Sequence, residues 1–385
     1  MPGYEIINSK EKNAVIKLFD SLKYGIKPIF YNSKKVLEFE KNFAKVIGSK
    51  YAVALSSGTA AIKTSFIAAG VKPGDEIITQ AFTFIAVVEA IIDIGAIPII
   101  AEINETLNMC PIDLQKKITK KTKVIMPVHM LGVSAEVDKI KEIAKKKNII
   151  VIDDNCEAFG AKWGKQMLGC QFDACAWSFD NGKTITTGEG GMVTTDNEEF
   201  HKLCREYRDH GHENNINFPR GKDTHRIPGF NFRTTELNAV IGIEQLKKVP
   251  IILKNNKKNY IKFFKSIKKY KIIKFRKIPK KCTPLYDCLI FSFKDNLLAD
   301  RFAAVMKMQG LNTKNLPDAM EWHCAAYWDH IFKNYGYDKK KLKNFFKKST
   351  DLLKRSVAIP IFVKETENSL NLRIAKIKRI LDEIK

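Results

Sequence analysis

The chain has little that would mark it for a membrane, a metal or export. No stretch approaches the roughly 20 apolar residues that span a bilayer. The longest apolar-rich run, Ala86 to Ile103, is broken by Glu89, Asp93, Gly95 and Pro98, so membrane insertion is not expected. Met1-Pro2-Gly3-Tyr4-Glu5 holds neither the basic nor the apolar part of a secretory leader. The eight cysteines are scattered, with Cys170 and Cys175 the closest pair, and none has paired-ligand spacing. Reduced thiols in a cytoplasmic protein are expected, with no metal site and no disulfide framework. Acidic residues are scarce, 42 against 66 Lys and Arg, for a net charge of +24. The imbalance is local: residues 251–385 hold 32 basic and 12 acidic residues, and 27 of the basic ones are lysine. No helix-turn-helix, zinc or RNA-binding signature accompanies that lysine. It reads as lysine-rich exposed faces, and nucleic acid is not an expected partner. Attraction of acidic or phosphorylated small molecules is the more economical consequence.

What is present centres on one lysine. Ser178-Phe179-Asp180-Asn181-Gly182-Lys183 follows the apolar strand Ala174-Cys175-Ala176-Trp177 and precedes Thr184-Ile185-Thr186-Thr187-Gly188-Glu189-Gly190-Gly191. A lysine in such a pocket loses its proton more easily than one in water, because desolvation disfavours the charged form. A neutral amine is what Schiff-base chemistry with an aldehyde cofactor needs. Taken alone, Lys183 would read as a surface residue beside a turn. Three other segments converge on the same chemistry. Leu55-Ser56-Ser57-Gly58-Thr59-Ala60 reads as a strand end, a small-residue turn and a helix start, which is a natural phosphate seat. Val151-Ile152-Asp153-Asp154-Asn155-Cys156-Glu157 is an apolar run ending in acids, a buried parallel strand with carboxylates at its C-terminal end. Such a carboxylate can hold the protonated ring nitrogen of pyridoxal phosphate, or it can cap a helix or bind magnesium. Phe82 and Phe84 follow the strand Glu76–Thr79 and are suited either to stacking on a planar ring or to the core.

In this order, and followed by Gly229-Phe230-Asn231-Phe232-Arg233-Thr234-Thr235-Glu236-Leu237-Asn238-Ala239, these motifs resemble the DegT/DnrJ/EryC1/StrS family of sugar aminotransferases over about the first two-thirds of the chain. The resemblance implies the PLP-dependent transferase fold of type I, an α/β fold with a mainly parallel, seven-stranded-type sheet and a smaller C-terminal α+β domain. It implies pyridoxal 5'-phosphate as cofactor, glutamate and an oxo-sugar as substrates, and a homodimer with shared active sites. By position, Lys183 matches the Schiff-base and proton-shuttling lysine, and Asp154 the acid on the pyridine nitrogen. Phe84 matches the stacking aromatic, and Gly58, Thr59 and Ser178 the phosphate cradle. Asn231 matches an asparagine lent by the neighbouring subunit. Glu157 stands where the family has Gln or His beside the cofactor's phenolic oxygen, and a carboxylate there repels a phenolate unless it is protonated or turned away. A branch with histidine in place of the lysine deoxygenates sugars; Lys183 favours amino transfer.

A finer resemblance is to the aminotransferases that make 8-amino-3,8-dideoxy-manno-octulosonate (Kdo8N), a lipopolysaccharide sugar acid. It rests on Met1–Glu5, on Asp209-His210-Gly211-His212 with Arg220-Gly221, and on Trp322-His323 with Trp328-Asp329-His330-Ile331. The segment between Gly25 and Val36 is shorter than in that subgroup. His210, His212, Arg220 and His323 are then candidate substrate residues, the first three in a cation-rich stretch, 209–226, suited to carboxylates. The same stretch also reads as a solvated loop. Two alternatives stand beside this reading: an aminotransferase for UDP-, GDP- or dTDP-linked keto-hexoses, and a non-catalytic protein that keeps the fold as a regulator or interaction module.

Strand–helix alternation predicts helices on both faces of the sheet. Strands are expected at Tyr51–Leu55, Glu76–Thr79, Ile97–Glu102, Val124–Val128, Ile149–Ile152, Asp173–Ser178 and Gly191–Thr195. The expected division is a large domain, 1–250, and a small one, 251–385, linked by a long helix running on from Pro250 to about Tyr270. Strands near Ile272–Phe275 and Leu289–Phe293 and helices Leu298–Gln309 and Ser369–Ile384 are expected in the small domain.

Overall fold

Seven short strands, each mostly buried or half-buried, stack into one sheet in the order Tyr51–Leu55, Gly191–Thr195, Ala174–Ser178, Ile150–Asp154, Thr122–Ile125, Glu76–Gln80 and Ile97–Ala101. The computed structural model describes residues 3–21, 34–335 and 338–384. Met1, Pro2 and most of the short segment between Gly25 and Val36 lie outside the described residues. Gly191–Thr195 runs antiparallel to both of its neighbours, and the remaining pairs are parallel. Such strands are covered on both faces, which is why they are mostly buried even where they carry Thr, Gln or Asp. Val53 and Leu55 pack into a cluster with Ile62 and Phe66 of the helix Gly58–Ala68. Ala52 and Ala54, pointing the other way, meet Phe39 and Phe43 of the helix Lys34–Ile47.

The strand expected at Val124–Val128 stops at Ile125. Pro127 has no N–H to give the ladder, and Val128 keeps only an isolated bridge to Asp154. One helix of 32 residues, Glu236–Ile267, about 48 Å long, runs through Pro250 without ending there. Its first half joins the large sheet's cluster through Ala239, Ile243 and Leu246. Its last turns join a second cluster through Phe263 and Ile267. That cluster fills the space between an antiparallel three-stranded sheet (Lys274–Phe275, Cys288–Ser292, Ser356–Pro360) and the helices Asn296–Met308 and Glu367–Glu383. The strand Ser356–Pro360 and the short helices between Met320 and Lys354 were not expected from the sequence. Leu316 and, from that stretch, Cys324, Ala325, Trp328 and Phe346 bury themselves in the cluster of Val53 and Leu55. Segment 314–326 thereby reaches the strand ends of the large sheet: Ala325 donates to the Ala81 carbonyl and Thr83 to the His323 carbonyl, both at 2.9 Å. Among the described residues no helix is long and apolar enough to cross a membrane.

Candidate active site

The strands Tyr51–Leu55, Glu76–Gln80, Ile150–Asp154 and Ala174–Ser178 all end at one edge of the sheet, and the loops that follow them enclose a cavity of about 440 Å³. Open α/β sheets place ligands at this edge. The first wall is the N-terminus of the helix Gly58–Ala68. Ser57 caps it by accepting the Ala60 N–H at 3.1 Å, which leaves the Gly58 and Thr59 amides without intrahelical partners. A side chain at Gly58 would put its Cβ 2.7 Å from Ser178 Cβ; only glycine lets the helix start close on that serine. Gly191 has the same duty from behind, since a Cβ there would lie 2.1 Å from the Ser57 carbonyl oxygen.

Lys183 sits on a turn tied by its own side chains. The Gly182 N–H donates to Asp180 Oδ1 at 2.9 Å, Thr186 Oγ1 donates to the Phe179 carbonyl at 3.0 Å, and the Gly188 N–H donates to Thr186 Oγ1 at 2.9 Å. The Gly3 N–H reaches back to the Lys183 carbonyl at 2.9 Å. The Lys183 side chain, 18% exposed, points at Glu157, with Nζ 4.0 Å from Oε1. Asp154 and Glu157 are both buried in the same wall, yet their environments push them apart. Burial raises the Asp154 carboxyl; the Cys156 N–H at 2.9 Å and the charge of Lys183 offset this only in part. Burial also acts upward on Glu157, but Lys183, His323, Lys314 and the Leu131 N–H at 3.1 Å outweigh it and hold that carboxyl at about 2. The pocket thus favours the charged form of Glu157, so protonation does not relieve the repulsion expected of a carboxylate at its position. Glu157 is ionised and faces the lysine.

Phe84, 41% exposed, lines the cavity mouth. Its ring lies parallel to that of Trp322, with centroids 6.2 Å apart and planes at 7°, and 5.4 Å from the His323 ring. His323 also lines the cavity and hydrogen-bonds through Nδ1 to the Ala319 carbonyl at 2.8 Å.

Of the expected site residues, the fold brings Gly58, Thr59, Phe84, Asp154, Glu157, Ser178, Lys183 and His323 around this one cavity. Asn231, His210, His212 and Arg220 do not line it. Asn231 is exposed and pairs with Asp209 in an isolated bridge. The expected cationic stretch is largely spent on internal pairs. Arg220 clasps Asp209 through both terminal nitrogens, at 2.8 and 2.6 Å, and Arg226 is held by Glu199, Glu206 and Glu213. His212 faces Asp223 at 3.2 Å. Sequence reasoning missed Asn315, which has a left-handed backbone (φ 65°) and donates from Nδ2 to Glu157 Oε1 at 3.3 Å. No motif marked it, because it reaches the site only when segment 314–326 folds back.

The donor set fits a phosphorylated pyridine aldehyde. The Gly58 cradle, which a Cβ would fill, suits a phosphate; buried Asp154 suits a ring cation; Lys183 suits an aldehyde; and Phe84 offers a ring face. Among the described residues no group of His, Cys, Asp and Glu could hold a metal ion.

The profile of the DegT/DnrJ/EryC1/StrS aminotransferase family matches residues 10–378. An uncharacterized protein of Methanocaldococcus jannaschii, MJ1066, is 32% identical over 360 residues, 91% of this chain and 90% of its own. The GDP-perosamine synthase of Caulobacter vibrioides is 39% identical over 215 residues, 56% of this chain and 57% of its own. The chain thus aligns with little more than half the length of that synthase. Among solved structures, an aminotransferase from Psychrobacter cryohalolentis superposes with a TM-score of 0.86 at 26% identity, covering 98% of both chains.

Proposed function

The chain belongs to the DegT/DnrJ/EryC1/StrS aminotransferase family, whose members depend on pyridoxal phosphate, and we propose that it moves an amino group from glutamate to an oxo-sugar. The observation that carries this reading is the meeting of Lys183, Asp154 and Glu157 in one cavity whose far wall is the open helix start at Gly58.

The bound cofactor supplies an electron sink that stabilises negative charge beside the transferred nitrogen. The chain supplies the rest. The Gly58 and Thr59 amides and the Ser178 hydroxyl hold the phosphate, with the positive end of the helix behind them. Asp154 keeps a proton on the ring nitrogen, and its burial strengthens that interaction. Phe84 covers one ring face, braced by Trp322. In each half-reaction Lys183 would take a proton from the carbon on one side of the transferred nitrogen and give it back to the carbon on the other side. Glu157, fixed by Leu131 and Asn315, steadies the lysine between these steps. Asn231 reaches the phosphate of a neighbouring protomer, so the working unit is a homodimer with shared sites. The eight free thiols of each chain suit the reducing cytoplasm.

The acceptor we favour is 8-oxo-Kdo, giving 8-amino-3,8-dideoxy-octulosonate. This rests on the Trp322-His323 and Trp328-Asp329-His330-Ile331 motifs and on the place of His323 in the cavity wall. A keto-hexose linked to a nucleotide is the second reading, favoured by the likeness to GDP-perosamine synthase. The test offers each acceptor to the enzyme after glutamate has bleached it. Return of the yellow colour with 8-oxo-Kdo alone supports the sugar-acid reading. Return with a nucleotide keto-sugar alone replaces it by the second. No bleaching by glutamate overturns both.

A further inference from the structure

We propose that a second pocket, at the opposite end of the strand Tyr51–Leu55, binds a phosphate-bearing small molecule. This open pocket of about 370 Å³ is lined by the helix Lys34–Ile47, the turn 49–50, the first strand residues and the helix Glu198–Arg208. Five residues of strand, about 17 Å, separate it from the helix start at Gly58, so it is not part of the site above and does not depend on the reading given there.

Its charge is one-sided. Lys41, Lys45, Lys50 and Arg205 line it, and Glu40 is the one carboxylate among the lining residues. Glu40 is already taken: its Oε1 accepts from Arg208 Nη1 at 2.6 Å and from the Ala54 N–H at 2.8 Å. Asp196, nearby, accepts the Lys50 backbone N–H at 2.7 Å and does not line the pocket. The Arg205 guanidinium is half-buried, and its Nε is buried without a hydrogen-bond partner. Burial and then the neighbouring charge of Arg208 lower its pKa, which means the cation is held there at a cost that a bound anion would offset. His201 stacks on Tyr51, with centroids 4.7 Å apart and planes at 19°. Burial, then Arg205 and Arg208, push its pKa down to about 4. At neutral pH it therefore offers a hydrogen bond without adding charge.

A half-buried guanidinium in a pocket that three exposed lysines also line matches a phosphate dianion with its several acceptor oxygens. Leu37, Ala44 and Ala52 add apolar surface, which favours a phosphate ester over the free ion. The volume suits a small ester and not a protein segment.

The cofactor-loaded enzyme, in which the other phosphate seat is filled, is titrated calorimetrically with ribose 5-phosphate at constant ionic strength, with ribose as control. The expected result is saturable binding of one ester per chain, silence with ribose, and weakening by at least about tenfold in Arg205→Gln. The double variant Lys45→Gln/Lys50→Gln, confined to exposed side chains, is expected to weaken binding as well and serves if Arg205→Gln does not fold. Binding that is undiminished in the folded variants overturns the proposal, as does the absence of saturable heat in the parent enzyme.

Discussion

Glu157 Oε1 stands 4.0 Å from Lys183 Nζ, a carboxylate facing the lysine where the resembled family has Gln or His. It is not a free acid. The Leu131 N–H and Asn315 Nδ2 fix its two oxygens, so it holds a set position whether or not the lysine is engaged elsewhere.

Replacing Lys183 by alanine removes the amine while leaving the turn's own hydrogen bonds in place. The expected outcome is loss of turnover and of the visible absorbance of the lysine-bound cofactor, with an unchanged far-ultraviolet circular dichroism spectrum. Turnover equal to the parent's would sink the assignment.

Asp154→Asn keeps the shape of the side chain but removes the charge that would face the ring nitrogen. We expect turnover to fall at least about a hundredfold, or about 3 kcal/mol of barrier. The melting temperature should change little, because the buried carboxylate is itself disfavoured by desolvation. An undiminished rate refutes the role.

Gly58→Ala places a Cβ 2.7 Å from Ser178 Cβ and must push the helix start away from the cradle. Cofactor affinity, followed by fluorescence titration of the cofactor-free protein, should drop by at least about tenfold. Affinity equal to the parent's would show that the phosphate sits elsewhere.

The Glu157 carboxyl, held at about 2 in the fold against 4.5 ordinarily, contributes stability with a definite sign. A depressed carboxyl stabilises fully above its unfolded pKa, and that contribution is lost as pH falls from about 4.5 toward 2. Glu157→Gln in the cofactor-free protein should therefore flatten the drop in melting temperature across that window. Identical acid limbs for variant and parent would show that Glu157 is not stabilised as an ion.

Asn231 is exposed and does not line its own protomer's cavity, so its proposed contribution to a neighbour's site can be read by complementation. Lys183→Ala and Asn231→Ala proteins, each impaired alone, should recover about a quarter of the parent's sites when unfolded together and refolded, since half the dimers are mixed and each mixed dimer has one intact site. No recovery would place Asn231 outside the shared site.

Much of this was legible in the sequence because it is local. Tyr51–Leu55 and Gly191–Thr195 were placed to the residue, since short apolar strands between turns carry their own signal. Lys183, Asp154, Gly58 and Ser178 were visible because each ends a strand or follows one within five residues at the same edge of the sheet. Asn315 and the Phe84–Trp322 stack were not legible as site features, because they join residues some 150 to 240 positions apart and follow no period. The pairing of the cations in residues 209–226 was not legible for the same reason: a sequence shows Arg220 and Arg226 as charges, not the contacts they make with Asp209 and Glu206.

The sequence by itself determined the α/β alternation, the lysine-bearing turn and the chemistry those residues can do, because backbone preference and side-chain type are local properties. The tertiary structure alone decided which charges remain available. It left Glu157 ionised beside Lys183, spent Arg220 and Arg226 on internal carboxylates, and kept Arg205 unpaired at the far end of the same sheet. Electrostatic free energy depends on burial and on distances through space, and neither is written in the order of residues along the chain.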